Sequence, residues 1–440
     1  MRYLSKTFRQ FRPFYSANNK QLQSPTYKRY KQAIALLIWF AVCFLALPAQ
    51  AKYGGGSGTA EDPYLIYTAE QMNAIGANPA DWDKHFKLMD DIDLSAYTGS
   101  AFNIIGQWTT LGSINNRPFS GVFDGNDRKI SNFSYVSPSR YGVGLFGYVK
   151  GRIENLGLIN PNIVAQDWDI GSLVGYLEQG SIIDCYAKGA RVSGGNAVGG
   201  LVGLNEGKIA NCYSSGRVSG GTLVGGLVGL VESGFVSNCY ATASVSGNQN
   251  VGGLVGMTGD ESCIISDCYA TGTVSGDTNV GGLAGQVERG ALAKCYSAGR
   301  VSGNQYVGGL IGRVRLLVTI WNCFWDIQTS GQPTSADGIG KTTAEMQTAN
   351  TFSSVGWDFF DIWTICEGEN YPVFLWQISV ADIRCPDGVN MTDFAWFAQH
   401  WRQRNCNQFN YNCDGTDLDK SGSVDFADLA IFTDDWLAGF

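Results

Sequence analysis

Between residues 141 and 326 short apolar phrases alternate with glycine-rich turns, and the alternation repeats at an almost constant interval. The phrase V-G-G-L-V-G, or a close variant, begins at Val198, Val224, Val251, Val280 and Val307, at intervals of 26, 27, 29 and 27 residues. Degenerate copies begin at Gly142 and Ile170. From the Ile170 copy onward each is followed by a second apolar phrase, usually Asn/Asp-Cys-Tyr. In all but the last copy a Gly/Ala/Ser-x-Val-Ser-Gly turn comes next. Two apolar phrases per period of about 27 residues predict stacked coils, because one coil alone cannot bury its apolar face. The phrases are short, rich in Val, Ile, Tyr and Cys, and show no helical spacing, so each predicts a strand. Equivalent strands would stack in parallel about 4.8 Å apart, and seven coils would span roughly 30 Å. The fold class expected is all-β, a right-handed parallel β-helix, with a small C-terminal α-helical module described below.

The alternation contains a break. Counting in twos from Cys212 puts Cys212, Ser214, Gly216 and Val218 on one face and Tyr213, Ser215 and Arg217 on the other. Ile209 is out of phase with Cys212, and a bulge or turn near Asn211 would bring both inside. The ends of the solenoid need shielding. Thr68 to Ile75 reads as a short helix with Thr68 as N-cap and Gln71 three residues on. Thr342 to Thr351 reads similarly at the other end. The resulting division is a leader at 1–51, opening coils and cap at 52–140, repeats at 141–326, a C-terminal cap and linker at 327–380, and a separate module at 381–440.

Composition adds to this in two places. Glycine, at 57 residues against 11 prolines, suits many tight turns rather than disorder. The first 51 residues hold eight of the 31 basic residues and none of the 39 acidic ones. They continue into an apolar run, Ala33 to Leu47, and an Ala49-Gln50-Ala51 site, the order of a secretory signal peptide. The apolar run is short for a membrane span, so an exported chain with no transmembrane span is expected. Cleavage would double the net charge of −8. So acidic a surface has no basic stripe for nucleic acid.

Six cysteines occupy one repeat position, Cys185, Cys212, Cys239, Cys268, Cys295 and Cys323. Equivalent side chains in stacked coils point the same way, so a buried column of thiols is expected rather than disulfides or a metal site. Cys263 stands apart, in the one coil that is two residues longer. Cys366, Cys385, Cys406 and Cys413 lie outside the ladder and are the disulfide candidates, with their pairing open. Next to the cysteines runs a tyrosine column, Tyr186, Tyr213, Tyr240, Tyr269 and Tyr296, continued by Phe324 and Trp325. Facing out, it could stack on sugar rings; packed under a turn, it is structural.

From about Ala381 the glycine repeats stop. Asp417 opens a 12-residue loop, D-L-D-K-S-G-S-V-D-F-A-D, with oxygen-bearing side chains at positions 1, 3, 5, 9 and 12 and glycine at 6. Ca2+ takes six to eight hard oxygens, and such a loop can wrap one. The proposed ligands are Asp417, Asp419, Ser421, Asp425 and Asp428, with the Ser423 carbonyl at position 7. Leu429, Phe432 and Trp436 give the following helix one apolar face. The phrase Val389 to Trp401 repeats as Val424 to Trp436, so the module is a duplicated loop–helix. In the first copy Arg384 and Pro386 stand at positions 3 and 5, leaving Asp382, Asn390 and Asp393 as its remaining donors.

These residues carry two resemblances. The V-G-G-L-V-G phrase with its Asn-Cys-Tyr and Val-Ser-Gly companions, over Tyr141 to about Asp326, resembles the GLUG repeats of bacterial surface and secreted proteins, some of them large peptidases. The stretch from Gly54, through Asp62-Pro-Tyr-Leu-Ile and Phe119-Ser-Gly-Val-Phe-Asp-Gly-Asn, is similar to the coils that precede such repeats. The C-terminal duplication is similar to a type I dockerin, which implies a cohesin-like protein partner for residues 381–440. It departs from that family at Phe426 and Ala427, where Ser-Thr is common, and at position 12, which is Asp where an EF-hand has Glu.

A metallopeptidase would need H-E-x-x-H, but the two histidines, His85 and His400, belong to no such motif. The acids Asp184, Glu206, Glu232, Asp267 and Glu288 occupy non-equivalent places and read as solvated turn residues. The expected function is therefore non-catalytic: a secreted or cell-surface solenoid for adhesion or scaffolding, with a glycan as one partner for its face. The alternative is a carbohydrate-active β-helix enzyme, a lyase or hydrolase, which a convergent cluster of acids on one face would favour.

Overall fold

The computed structural model describes residues 52–315, 318–385, 388–407 and 411–438. The leader expected at 1–51 lies outside the described residues. From Tyr53 onward the chain forms a parallel β-solenoid of about 7 turns with few helices. One coil shows the plan. It runs through strands Asn196–Gly199, Val202–Asn205, Lys208–Ala210 and Tyr213–Ser219, and the next begins at Thr222. Equivalent strands stack coil on coil. Six strands from Trp168–Ile170 to Gln305–Gly308 make one sheet, and seven from Phe146–Val149 to Ile311–Val314 make the next. The remaining strands of the coils form a long third sheet. Register is kept residue by residue, with Cys239 opposite Cys268 opposite Cys295 and Tyr240 opposite Tyr269 opposite Tyr296.

The break in alternation is real and has a single cause. Asn211 adopts φ 54°, and so do its equivalents: Asn155 at 53°, Asp184 at 54°, Asn238 at 52°, Asp267 at 50°, Lys294 at 51° and Asn322 at 55°. One left-handed residue per coil turns the strand enough for Ile209 and Cys212 both to point inward, and both are fully buried. Asn and Asp tolerate this conformation best because their short polar side chains bond locally. Here they bond to one another, Asn211 Nδ2 donating to Asp184 Oδ1 at 2.9 Å.

The glycines of V-G-G-L-V-G set the sharp corner between the first two sheets. A Cβ on Gly199 would lie 1.9 Å from the Val202 carbonyl oxygen, and one on Gly200 would lie 2.1 Å from that of Gly226 in the next coil. Inside, Ile182, Ile209, Val236, Ile265 and Leu292 form one column, the six ladder cysteines another, and Val192, Val218, Val245, Val274 and Val301 a third, all buried. The thiol column expected from the sequence is present: all six ladder cysteines and Cys263 are free and buried. Burial pushes the Cys185 thiol up to about 12. With no cation beside it, such a thiol is unreactive in the folded state.

The N-terminal coils extend the third sheet, Tyr64–Ile66 pairing with His85–Leu88 and that strand with Val122–Ser131. Thr68 caps the helix Ala69–Ala77 by accepting from the Gln71 amide at 3.3 Å, and Gln71 reaches back to the Tyr67 amide at 2.7 Å. Met72 and Ile75 bring this helix into the solenoid core.

At the other end Thr342 and Glu345 form a reciprocal capping box, but the helices that follow, Thr343–Met346 and Ala349–Ser353, do more than close a terminus. Met346, Phe352, Trp357, Trp363 and Phe374 pack against Tyr269, Tyr296 and Phe324 on the flank of the solenoid. The module beyond has its own core of Ala381, Phe397, Val424 and Phe432, with Leu429 and Trp436 packed against it. Disulfides join Cys366 to Cys385 and Cys406 to Cys413, so one bond fastens the flanking segment to the module.

Candidate functional site

In the module, both loops are organised by the carboxylate at position 12. Asp428 accepts from the amides of Leu418 at 2.6 Å, Asp419 at 3.1 Å and Asp425 at 2.8 Å. Asp393 does the same in the first copy, accepting from Ile383 and Arg384, both at 2.8 Å, and Asn390 at 3.0 Å. Each carboxylate is fully buried at the start of its helix, where a negative charge meets the favourable end of the helix dipole.

The loops differ in what surrounds that carboxylate. In the second, Asp417, Asp419 and Asp428 each bring a carboxylate oxygen to within 4.8 Å of the others. Asp417 is 2% exposed and accepts from Ser421 and Gly422 amides, both at 3.0 Å, with Gly422 at φ 96° making the turn. Burial raises the Asp417 carboxyl above its ordinary range, and bonds from Ser421 lower that of Asp419. Of the other expected ligands, Ser421 donates to the Ser423 carbonyl at 3.3 Å, and Asp425 accepts from Ser423 Oγ at 3.1 Å and the Ala427 amide at 2.9 Å. In the first loop, by contrast, position 3 is Arg384, whose guanidinium lies 4.2 Å over the Trp396 ring. The second loop thus gathers hard oxygen donors of the type Ca2+ takes, and the first holds a cation of its own.

A second cluster lies outside the core, at the corner between the first two sheets. Tyr148 and Tyr176 stack at 5.2 Å, and Trp108 meets Tyr176 edge-on at 4.8 Å. Tyr148 donates to Glu178, which also pairs with Lys150 at 3.0 Å. Tyr176 bonds Glu206. Asp169, only 6% exposed, bonds Trp108, and burial with the nearby Glu206 charge raises its carboxyl to about 7. Burial first, then the charges of Glu178 and Glu232, also raise Glu206.

The reading of Glu206 as a solvated turn residue therefore does not hold, because coil stacking brings it to Asp169 and Glu178. Asp267 is also partly buried, with Trp363 Nε1 at 3.5 Å, and Glu288 pairs with Arg315 at 3.4 Å. Asp184 and Glu232 are exposed. Sequence reasoning missed Asp169. It stands just before the degenerate phrase at Ile170, where later copies have Ala197 and Leu223, and that difference was the available signal.

The tyrosine column resolves into a structural element. Its rings stack face to face at 4.8, 4.8, 4.9 and 5.0 Å, which occupies the faces a sugar would need. The flanking segment covers its later members, with Tyr296 Oη donating to the Pro372 carbonyl at 2.6 Å.

The GLUG motif matches residues 167–193, 194–219, 220–246 and 247–275, so the chain carries GLUG repeats on a parallel β-solenoid. Over 162 residues, 36% of the chain, it is 35% identical to halomucin of Haloquadratum walsbyi, covering 2% of that protein. Over 127 residues, 28% of the chain, it is 34% identical to a protein of Evansella cellulosilytica described as a Gly-rich membrane protein, covering 14% of it. The chain thus spans a small part of these relatives. Among solved structures, a Bacteroides ovatus protein described as an immunoglobulin A1 protease aligns over 74% of this chain and 95% of its own, with TM-score 0.47 and 24% identity. An IgA1 protease aligns over 63% of this chain and 21% of its own, with TM-score 0.39 and 17% identity. Among the described residues no helix is long and apolar enough to cross a membrane.

Proposed function

We propose that the chain is an extracellular or cell-surface solenoid for adhesion or scaffolding, tethered to a cohesin-like protein partner through residues 381–440, with Ca2+ held by the second loop. The observation that carries this reading is the contrast between two loops of one hydrogen-bonding plan. Among the described residues, only the second shows a carboxylate trio, Asp417, Asp419 and Asp428, drawn together with buried members. Clustered acids gain most from a bound cation, since mutual repulsion and burial both penalise their ionised forms. When bound, the ion would lock loop to helix and present the module's outer helical faces, where Met391 and Phe426 stand exposed, to a partner. The test is a calorimetric Ca2+ titration of the full chain, wild type against Asp417→Ala and Arg384→Ala. We expect one site, lost in Asp417→Ala and kept in Arg384→Ala. A wild type that takes up no Ca2+ would overturn the tethering reading.

The cluster at Asp169 favours a second reading, that of a carbohydrate-active enzyme. A carboxyl raised toward neutral pH beside a second carboxyl group is the pairing that general acid–base hydrolysis of a glycosidic bond uses. In this reading Asp169 donates the proton, Glu206 acts as base, and Trp108 offers an aromatic wall. Release of reducing ends from a panel of polysaccharides, abolished by Glu206→Gln, would support it. No release by the wild type from any of them would leave the cluster without a catalytic role.

A further inference from the structure

The outer surface of the third sheet, just before the Val-Ser-Gly turns, carries a column that neither the core nor the module uses. Register sets Asn162, Arg191, Arg217 and Ser244 side by side on successive coils. In-register strands lie about 4.8 Å apart, so two exposed arginines spring from the sheet one strand spacing from each other. Like charges directly opposite one another destabilise a sheet. Among the described residues neither arginine side chain has an ion pair or hydrogen bond to offset this. Some cations of the neighbouring coils are paired, as Arg152 is with Glu154 and Lys150 with Glu178.

The two arginines also line a cavity of about 820 Å³, whose other walls include Asn160, Asn162, Ser193 and Ser219. Ser219 is shared with a second cavity of about 420 Å³, which continues past Ser246 and Ser275 to Asp277. Because these residues belong to successive coils, the two cavities form a polar track along the stack. Its floor is held rigid by the sheet, and its walls combine hydroxyls, amides and glycines with the apolar Ile163, Val164, Ala190 and Val192.

We infer that this track binds an acidic polysaccharide, with carboxylate or sulfate groups of the chain seated on Arg191 and Arg217 and sugar hydroxyls on the serines and asparagines. The arginine fork matches either anion through two parallel bonds. A linear polymer suits a track that repeats coil by coil. Nucleic acid is the poorer fit, since single strands are held by aromatic stacking and the lining has no aromatic side chain. The proposal deepens the adhesive reading above and rests on it, but makes no use of the Ca2+ loop.

The test is affinity electrophoresis of the full chain, in chelator, through gels containing polygalacturonate, dextran sulfate or neutral dextran. Retardation by one or both acidic polymers and none by dextran is expected, and the arm that retards identifies carboxylate or sulfate as the anion. R191Q/R217Q should weaken retention about tenfold or more, and R191K/R217K should restore part of it, as expected when charge is kept and the fork lost. Ser244→Glu, which sets a carboxylate opposite Arg217, should weaken retention with both arginines in place and covers the case in which the double variant misfolds. Equal retention by dextran, no retention by either acidic polymer, or retention unchanged by R191Q/R217Q and Ser244→Glu would overturn the assignment. With Ca2+ chelated throughout, failure here leaves the tethering reading intact, and failure of the Ca2+ titration leaves this result intact.

Discussion

At the scale of single residues, burial decides the chemistry. Asp169 is the clearest case, its carboxyl raised from 3.8 to about 7 chiefly by desolvation. A carboxyl raised on folding holds its proton in the folded state while the unfolded chain has already ionised. Its contribution to stability is therefore fully present below about pH 4, falls as pH climbs toward about 7, and levels off above that. At the plateau the buried charge costs on the order of 4 kcal/mol. Asp169→Asn keeps an acceptor for Trp108 and removes the charge, so it should raise the melting temperature at pH 8 and change it little at pH 4. Identical profiles for variant and wild type would show that Asp169 is solvated. This residue was not legible in the sequence, because the groups that act on it, Trp108 and Glu206, come from other coils. The ladder cysteines were legible, because a repeat position alone implies a shared environment.

At the scale of the element, the coil is a compromise between straight strands and a closed turn. Two left-handed columns recur in it. One runs through Asn155, Asp184, Asn211 and Asn238, and the other through Asp169, Ala197, Leu223, Asn250, Asn279 and Tyr306. Side chains with a Cβ pay roughly 1–2 kcal/mol per residue for this conformation, Asn and Asp less. Asn211→Val should therefore destabilise the fold by about 1–2 kcal/mol and Asn211→Gly by much less, read as a shift in denaturation midpoint. Equal shifts would mean that the Asn–Asp bonding, not the backbone, governs the position. The parity conflict between Ile209 and Cys212 pointed to the first column in advance. The second left no such trace, since Ala, Leu and Tyr are unexpected in that conformation and only the tight corner enforces it. The same corner explains the phrase itself: Gly226→Ala would bring a Cβ to 2.0 Å from the Gly253 carbonyl, a backbone atom that cannot step aside.

At the scale of the whole molecule, the repeats and the flanking segment differ in how they are held. The repeats stack on nearest neighbours, so their stability is close to a sum of coil and interface contributions. The segment from Thr342 to Gln377 instead has a single aromatic contact surface, centred on Trp363, which is fully buried and lies 4.3 Å from the Phe374 ring. It meets the solenoid through Tyr269 and Tyr296, at 6.1 and 6.2 Å from the same indole. Trp363→Ala should cost about 3–5 kcal/mol, drawn mostly from this segment because the coils beneath keep their own ladders. Limited proteolysis of the variant should then cut between 342 and 377, while amide protection at Val228, Val255 and their equivalents stays as in the wild type. The Cys366–Cys385 disulfide joins this segment to the module, so a chain cut between 366 and 377 should stay together until reduced and then release the module with its loop, whereas a cut before 366 is not bridged by it. Loss of protection in the repeats at the same point would mean that the aromatic flank is part of the solenoid's cooperative unit. The tyrosine ladder would then be the element that couples one end of the chain to the other.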